Sequence, residues 1–132
     1  MKKKIAIVSG EPLSVNSEII AKSWKKIRKV YRKKIFLIGN YSLIKKQLKN
    51  LKIKIPVTKI NSIKETNSSK GLQILDVPLG LNKSKYIFKC IDMAHNFAIK
   101  KKITGFINCP IDKRIFRSKN LGVTEYLAKK NN

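Results

Sequence analysis

The segment that decides the fold reads Gly105-Phe106-Ile107-Asn108-Cys109-Pro110-Ile111-Asp112-Lys113. An apolar run passes directly into a polar turn that contains a proline, which predicts a strand over residues 103–108 that ends in an irregular turn. Nine residues after Lys113, a second polar turn begins with Gly122. Polar turns after a strand are typical of the rim of a ligand site, so we expect function near this end of the chain.

Strand and helix patterns alternate along the rest of the chain. Strands are predicted over residues 3–8, 33–38, 53–57, 72–77 and 103–108. Helices are predicted over residues 16–31, 41–50 and 83–101, with short helical segments near 112–118 and 123–130. Residues 61–71 are polar and predict a loop within one domain. The alternation indicates a single α/β segment over residues 1–132, with a mainly parallel sheet flanked by helices.

The first helix illustrates the predicted packing. Asn16 is expected to cap it, and Glu18 favours its first turn. Apolar side chains recur at helical spacing and are expected to face inward: Ile19, Ile20, Trp24, Ile27 and Tyr31. In the long third helix, the inward face is expected to hold Tyr86, Ile87, Cys90, Ile91, Ala94, Phe97 and Ala98.

Charge is the most extreme feature of the composition. The net charge is +24, from 27 Lys and 4 Arg against seven acidic residues. Such a balance is typical of nucleic-acid binding. Arg is scarce, however, the lysines are spread along the whole chain, and no aromatic residues interleaved with Arg on one face are evident. We therefore expect a solvated lysine surface rather than a nucleic-acid interface.

Composition also indicates where the protein works. No apolar stretch reaches 18 residues, so no membrane-spanning helix is expected. Cys90 and Cys109 are the only cysteines and lack C-x-x-C spacing, which favours a reduced, cytoplasmic setting. His95 is the only histidine and is expected to be an ordinary helix residue. The chain has neither a G-x-G-x-x-G nor a P-loop motif.

The few acidic residues point back to the polar turns. Glu11, Glu18, Asp112 and Glu125 lie in or beside these turns, either because helix starts favour acids or because they serve a site. Lys113 follows a strand and a proline, a favourable place to meet an anion. Thr124 either caps the last helix or contacts substrate. The residues alone indicate an anion-binding α/β fold and leave the reaction open.

Three ordered motifs resemble one enzyme family. Ser9-Gly10-Glu11-Pro12, followed by Ser17-Glu18-Ile19-Ile20, resembles the G-E-P-A-G-I-G-P-E opening of the NAD-dependent 4-hydroxythreonine-4-phosphate dehydrogenases of pyridoxal phosphate biosynthesis. Residues 108–113 resemble the family's T-G-P-[IV]-x-K segment. Residues 122–128 resemble its G-H-T-E-[FY]-L-A segment. The long helix between the first and second motifs also agrees.

The resemblance implies a partial isocitrate/isopropylmalate dehydrogenase-like fold, a homodimer, NAD and a divalent metal. The implied reaction is oxidation of 4-phosphooxy-threonine followed by loss of carbon dioxide. The implied substrate contacts are Thr124, Lys113 and position 123, where Val123 replaces the family's histidine. Because valine cannot form that hydrogen bond, the substrate is expected to differ or one contact to be lost.

The family's metal-binding histidines lie downstream of the matched segments. We therefore expect this chain to be the N-terminal part of a longer dehydrogenase, truncated before the metal site and inactive alone. Two alternatives remain open: a related dehydrogenase for another phosphorylated hydroxy acid, and a small basic module that binds RNA or another polyanion.

Overall fold

Five strands form one sheet in the computed structural model, which describes residues 3–66, 70–115 and 122–131. The strands are β1 (Ile5–Val8), β2 (Ile35–Gly39), β3 (Val57–Ile60), β4 (Leu72–Asp76) and β5 (Gly105–Asn108). Their order is β3-β4-β2-β1-β5, and every pair is parallel. The expected α/β fold with a parallel sheet is confirmed.

Helices cover both faces of the sheet. They are α1 (Asn16–Lys26), α2 (Lys29–Arg32), α3 (Tyr41–Asn50), α4 (Lys83–Ile99) and α5 (Val123–Lys130), with short 3-10 turns at Ile63–Glu65 and Lys113–Ile115. Among the described residues, no helix is both long and apolar enough to cross a membrane.

The core has two layers because side chains alternate along each strand. On β2, Phe36 and Ile38 face α4, whose inward residues include Ile87 and Ile91. Leu37 faces the other way, toward Trp24 and further residues of α1 and α3. All of these side chains are buried. The inward face predicted for the long helix is confirmed, with Phe97 and Ala98 partly buried at its end.

The first helix is shorter than predicted. Helix α1 ends at Lys26, and Ile27 has extended backbone angles (φ −73°, ψ 132°), after which α2 forms a separate short turn. The expected inward face is correct for Ile20 and Trp24 and wrong for Ile19 and Tyr31, each 48% exposed. The break turns the end of the predicted helix away from the core.

The third strand begins later than predicted. Residues 53–56 precede β3, and Ile53 and Ile55 pack against the core from outside the sheet ladder. Pro56 explains the boundary because it has no N–H to donate to a neighbouring strand. Its carbonyl accepts a 2.8 Å hydrogen bond from the Leu72 amide, and the ladder with β4 starts at Val57.

The helical segment expected near 112–118 is only a 3-10 turn at Lys113–Ile115 within the described residues. The rest of that prediction lies outside them.

Candidate functional site

The turns that follow β1 and β5 meet at the carboxyl edge of the sheet. The two strands are neighbours in register, with Val8 level with Asn108. The Cys109 amide donates to the Val8 carbonyl (3.0 Å), and the Glu11 amide donates to the Pro110 carbonyl (3.2 Å). Strand β1 lies between β2 and β5. After β1 the chain continues to β2 on one side, and it later reaches β5 on the other side of β1. In such sheets, this switch point is where ligands bind.

Glu11 joins three elements at this junction. Its Oε1 accepts a 2.7 Å hydrogen bond from the Asp112 amide, and its Oε2 lies 3.2 Å from Lys83 Nζ. Lys83 is the first residue of α4. The carboxylate therefore ties the turn after β1 both to the turn after β5 and to the start of the longest helix.

Asn16, the first residue of α1, also connects the turns after β1 and β5. Its buried Nδ2 donates to the Ser9 carbonyl (3.0 Å) and to the Pro110 carbonyl (2.8 Å). The prediction that Asn16 caps α1 is wrong, because Val15 occupies the cap position and no side chain caps the helix. The Asn16 side-chain amide forms two long-range hydrogen bonds instead of a local capping hydrogen bond.

Gly10 allows this close approach. Its φ is +71°, and a Cβ built on it would lie 2.6 Å from the Pro110 carbonyl oxygen, 2.7 Å from Asn16 Nδ2 and 2.8 Å from the Cys109 carbonyl oxygen. Only glycine fits both this backbone conformation and this space.

The charges at the junction are paired. Arg114 Nε and Nη2 donate to both carboxylate oxygens of Asp112, at 2.6 to 3.0 Å. These bonds, together with the Arg114 amide, lower the pKa of Asp112 to about 2. Asp112 also keeps the pKa of Arg114 above its usual value. Glu11 and Lys83 form the second pair, so the formal charges of these four described side chains balance.

A buried hydrogen-bond network supports the junction from the α4 side. The Tyr86 hydroxyl accepts from the Asn40 amide (2.8 Å) and lies 3.1 Å from Ser9 Oγ, which links the ends of β1 and β2 to α4. Burial raises the pKa of Tyr86 above its ordinary value and that of Cys90 to about 12. Both groups therefore stay protonated at neutral pH, which fits a structural role.

The predicted substrate contacts on α5 are not brought to the junction by any described contact. Val123 packs against the core, and Thr124 is exposed in the first turn of α5. Gly122 precedes the helix with no side-chain cap, so the prediction that Thr124 caps it is wrong. The side chains of α5 contact α4, where the Tyr126 hydroxyl donates to Asp92 (2.8 Å).

Two other predicted residues have different outcomes. Lys113 begins the 3-10 turn beside the junction, and the prediction for its side chain lies outside what the structure describes. His95 is buried on α4, and its Nε2 lies 2.8 Å from Asn131 Oδ1, which attaches the end of α5.

The described residues contain neither a metal-ligand cluster nor the glycine motif of a Rossmann dinucleotide site. Within residues 3–66, 70–115 and 122–131, no three His, Cys, Asp or Glu side chains cluster closely enough to hold a metal ion. The turn after β1 lacks the glycine spacing that cradles a dinucleotide pyrophosphate. The described cations of the junction, Lys83 and Arg114, are exposed, and each pairs with a carboxylate.

Comparison with known proteins finds dehydrogenases of phosphorylated substrates among the proteins similar to this chain. No family model matches the chain. A Fusobacterium nucleatum protein is 26% identical over 97% of the chain, and its name proposes a D-threonate 4-phosphate dehydrogenase. The 4-hydroxythreonine-4-phosphate dehydrogenase structures from Burkholderia phymatum and Klebsiella pneumoniae each superpose on 98% of the chain with a TM-score of 0.82, at 20% and 23% identity.

The expected family resemblance is confirmed. The chain is similar in sequence to the Fusobacterium relative and in fold to the solved 4-hydroxythreonine-4-phosphate dehydrogenases, as an N-terminal portion of such an enzyme would be. The chain spans about 43% of the length of the Fusobacterium relative and 43 to 44% of the two solved dehydrogenases.

The structure also corrects one expectation about the basic surface. Residues 22–34 carry eight Lys and Arg residues and no acid. Within this segment, Tyr31 is 48% exposed and lies between two cations, with Arg28 Cζ 5.9 Å and Lys34 Nζ 6.0 Å from its ring centre. The Tyr31 ring therefore lies between an Arg and a Lys. The sequence had predicted that Tyr31 faces inward on a longer first helix, whereas it lies on the short helix α2.

Proposed function

We propose that this chain forms the substrate-binding N-terminal portion of an NAD-dependent dehydrogenase that oxidises 4-phosphooxy-threonine in pyridoxine and pyridoxal phosphate synthesis. The observation that carries the proposal is the junction of the turns after β1 and β5. Glu11, Asn16 and Gly10 bind the two turns together at the switch point of the sheet. Gly10 and Glu11, with Pro110 and Asp112 opposite them, belong to two of the three motifs that resemble the family.

The junction would serve the substrate rather than the redox chemistry. Lys83 and Arg114 are its two described cations, and each could exchange a carboxylate partner for a phosphate oxygen. Lys113 and Thr124 are proposed as further substrate contacts. NAD and the divalent metal would act with residues outside this chain, so the 132 residues alone would be inactive. A cytoplasmic homodimer is proposed for the longer enzyme.

A related phosphorylated hydroxy acid is the closest alternative substrate. Val123 occupies the position of the family's histidine and packs against the core, so it offers no hydrogen bond. The Fusobacterium relative carries the name of a D-threonate 4-phosphate enzyme. Both observations favour a dehydrogenase that still recognises a phosphate but accepts a different acid beside it.

Calorimetric titration tests the proposal. The chain should bind 4-phosphooxy-L-threonine more tightly than L-threonine, and Lys83→Ala should weaken binding about tenfold, the value of one charge-assisted hydrogen bond. Lys59→Ala is the matched control. Lys59 also pairs with one carboxylate and is similarly exposed (49% against 46%), but it lies on β3, at the opposite edge of the sheet from β5. Equal losses for the two variants, or no preference for the phosphorylated ligand, would contradict it.

The basic segment supports a second candidate function. The Arg28–Tyr31–Lys34 arrangement combines cations with an exposed ring, as in proteins that bind single-stranded RNA. Binding of a single-stranded RNA should be followed by fluorescence anisotropy as salt rises. Binding that persists at about 0.15 M salt and is lost in Tyr31→Ala would favour this function. Binding that disappears with salt in both proteins would reject it.

A further inference from the structure

Helix α4 holds helix α5 through a stripe of side chains on one face. Phe88, Asp92 and His95 are spaced four and three residues apart along α4, so they lie on the same face of that helix. The Phe88 ring packs against the Tyr126 ring, with 5.0 Å between the ring centres. At the other end of the stripe, His95 Nε2 lies 2.8 Å from Asn131 Oδ1. The stripe therefore contacts α5 from its first half to the residue that follows its last turn.

Asp92 is the middle residue of this stripe and accepts two hydrogen bonds from α5. Its Oδ1 accepts from the Tyr126 hydroxyl (2.8 Å) and from Lys130 Nζ (2.7 Å). Burial and the neighbouring Asp92 raise the pKa of Tyr126 to about 12, so the hydroxyl keeps its proton at neutral pH and remains a donor. Asp92 is also the only acidic residue between Asp76 and Asp112 in a chain with seven acids. The one carboxylate of α4 thus lies where it contacts α5.

The order of these contacts sets the direction of α5. Tyr126 meets Asp92, whereas Asn131 meets His95, which lies later on α4. Residue numbers therefore rise together along the two helices, so α5 begins nearer the start of α4 than its end. No side chain caps the start of α5 in the described structure, so contacts farther along the helix are left to hold it.

The direction of α5 matters for the candidate site because α4 starts there. Lys83, the first residue of α4, pairs with Glu11 at the junction. Thr124 lies in the first turn of α5 and is exposed. The shared direction brings the Thr124 end of α5 toward the same edge of the sheet as the junction, although no described contact joins the two.

We propose that Asp92 is a positioning residue for substrate binding. By accepting hydrogen bonds from Tyr126 and Lys130, it fixes the orientation of α5 and keeps the Thr124 hydroxyl directed at a ligand in the junction. The Asp92 side chain is 36% exposed, so it can be replaced without opening the core. The inference rests on the proposed function, because it takes Thr124 to be a substrate contact.

A double-mutant cycle tests the inference by calorimetric titration of the 132-residue chain with 4-phosphooxy-L-threonine. Thr124→Ala and Asp92→Ala should each weaken binding about fivefold, the value of one neutral hydrogen bond. The double variant should also lose about fivefold rather than about 25-fold, because without Asp92 the Thr124 hydroxyl no longer meets the ligand. A contact that only stabilises the fold would lower the urea midpoint and leave the affinity of the folded chain unchanged.

Two further variants separate geometry from charge and from folding. Asp92→Asn makes the same charge change as Asp92→Ala but keeps an oxygen acceptor, so it should restore most of the lost affinity. Removing the carboxylate would by charge alone favour a phosphate, so weaker binding by Asp92→Ala reports a change of geometry. Tyr126→Phe keeps the ring on Phe88 and removes only the hydroxyl, so it should stay folded and also bind more weakly.

The inference is overturned if Asp92→Ala or Tyr126→Phe binds as tightly as the unmodified chain, or if Asp92→Asn binds no better than Asp92→Ala. Losses that multiply in the double variant, or a Thr124→Ala variant with full affinity, would also overturn it. An unmodified chain that binds no phosphorylated ligand would refute the proposed function, and the inference with it. Binding by the unmodified chain that Asp92→Ala leaves intact would overturn the inference alone.

Discussion

Replacing Gly10 by alanine should destabilise the protein by about 2–3 kcal/mol. An L-residue held at the Gly10 φ of +71° costs about 1–2 kcal/mol. The new Cβ would also meet the Pro110 carbonyl at 2.6 Å and Asn16 Nδ2 at 2.7 Å, and separating them should remove a hydrogen bond worth about 1 kcal/mol. The assay is urea unfolding followed by the fluorescence of Trp24, which is buried in the core and is the only tryptophan.

Gly80→Ala separates the two contributions. Gly80 also has a positive φ (+64°), but among the described residues no atom lies within 4 Å of the position that its Cβ would take. This variant should therefore lose only the conformational part, about 1–2 kcal/mol. The reasoning is refuted if Gly10→Ala costs no more than Gly80→Ala, because the two turns would then not approach as closely as described.

Four further predictions concern the junction, its acidic group, the thiols and catalysis. Asn16→Ala should cost about 1–3 kcal/mol in urea unfolding, because the buried Ser9 carbonyl and the Pro110 carbonyl each lose a hydrogen bond from Asn16; a cost below about 0.5 kcal/mol would contradict this. The pKa of Asp112 is about 2 against an ordinary 3.8, so its stabilising contribution should persist above that ordinary value and be lost as pH falls toward 2; Arg114→Ala should return the pKa toward normal in a carboxyl NMR titration. Burial raises the pKa of Cys90 to about 12 and of Cys109 to about 11, so Ellman's reagent at pH 8 should label both only after unfolding, and rapid labelling of the folded chain would argue against their burial. The 132-residue chain should not reduce NAD with 4-phosphooxy-L-threonine and a divalent metal, as followed by NADH absorbance, and sustained reduction would contradict the proposal that the redox site lies outside it.

The spacing of apolar residues along the sequence predicted most of the helices and strands well. Helix α3 was predicted with its observed bounds. Helix α4 and all strands except β3 were predicted within a few residues, because apolar spacing indicates which face of an element is buried. The same argument failed at residues 27–31. There the helical spacing of apolar residues continues past Ile27, although the backbone becomes extended at Ile27 and α1 has ended.

The construction of the site depends on contacts that no local pattern contains. Glu11 and Asp112 are 101 residues apart, and their hydrogen bond follows from the neighbouring positions of β1 and β5 in the sheet. Asn16 is a residue type that often caps helices, but its side chain forms tertiary hydrogen bonds instead. Lys83 was one of 27 lysines, and only the structure distinguishes it by its contact with Glu11. The nearest sequence indication was the concentration of scarce acidic residues beside the two turns.

The most direct test of the central claim is an NMR titration that locates ligand binding on the chain. Adding 4-phosphooxy-L-threonine at about 0.15 M salt should shift the amide signals of Gly10, Glu11 and Asp112, and an equal concentration of L-threonine should leave them in place. That result would locate phosphate recognition at the junction of the turns after β1 and β5. Shifts confined to the basic segment of residues 22–34, or equal shifts with both ligands, would contradict the account.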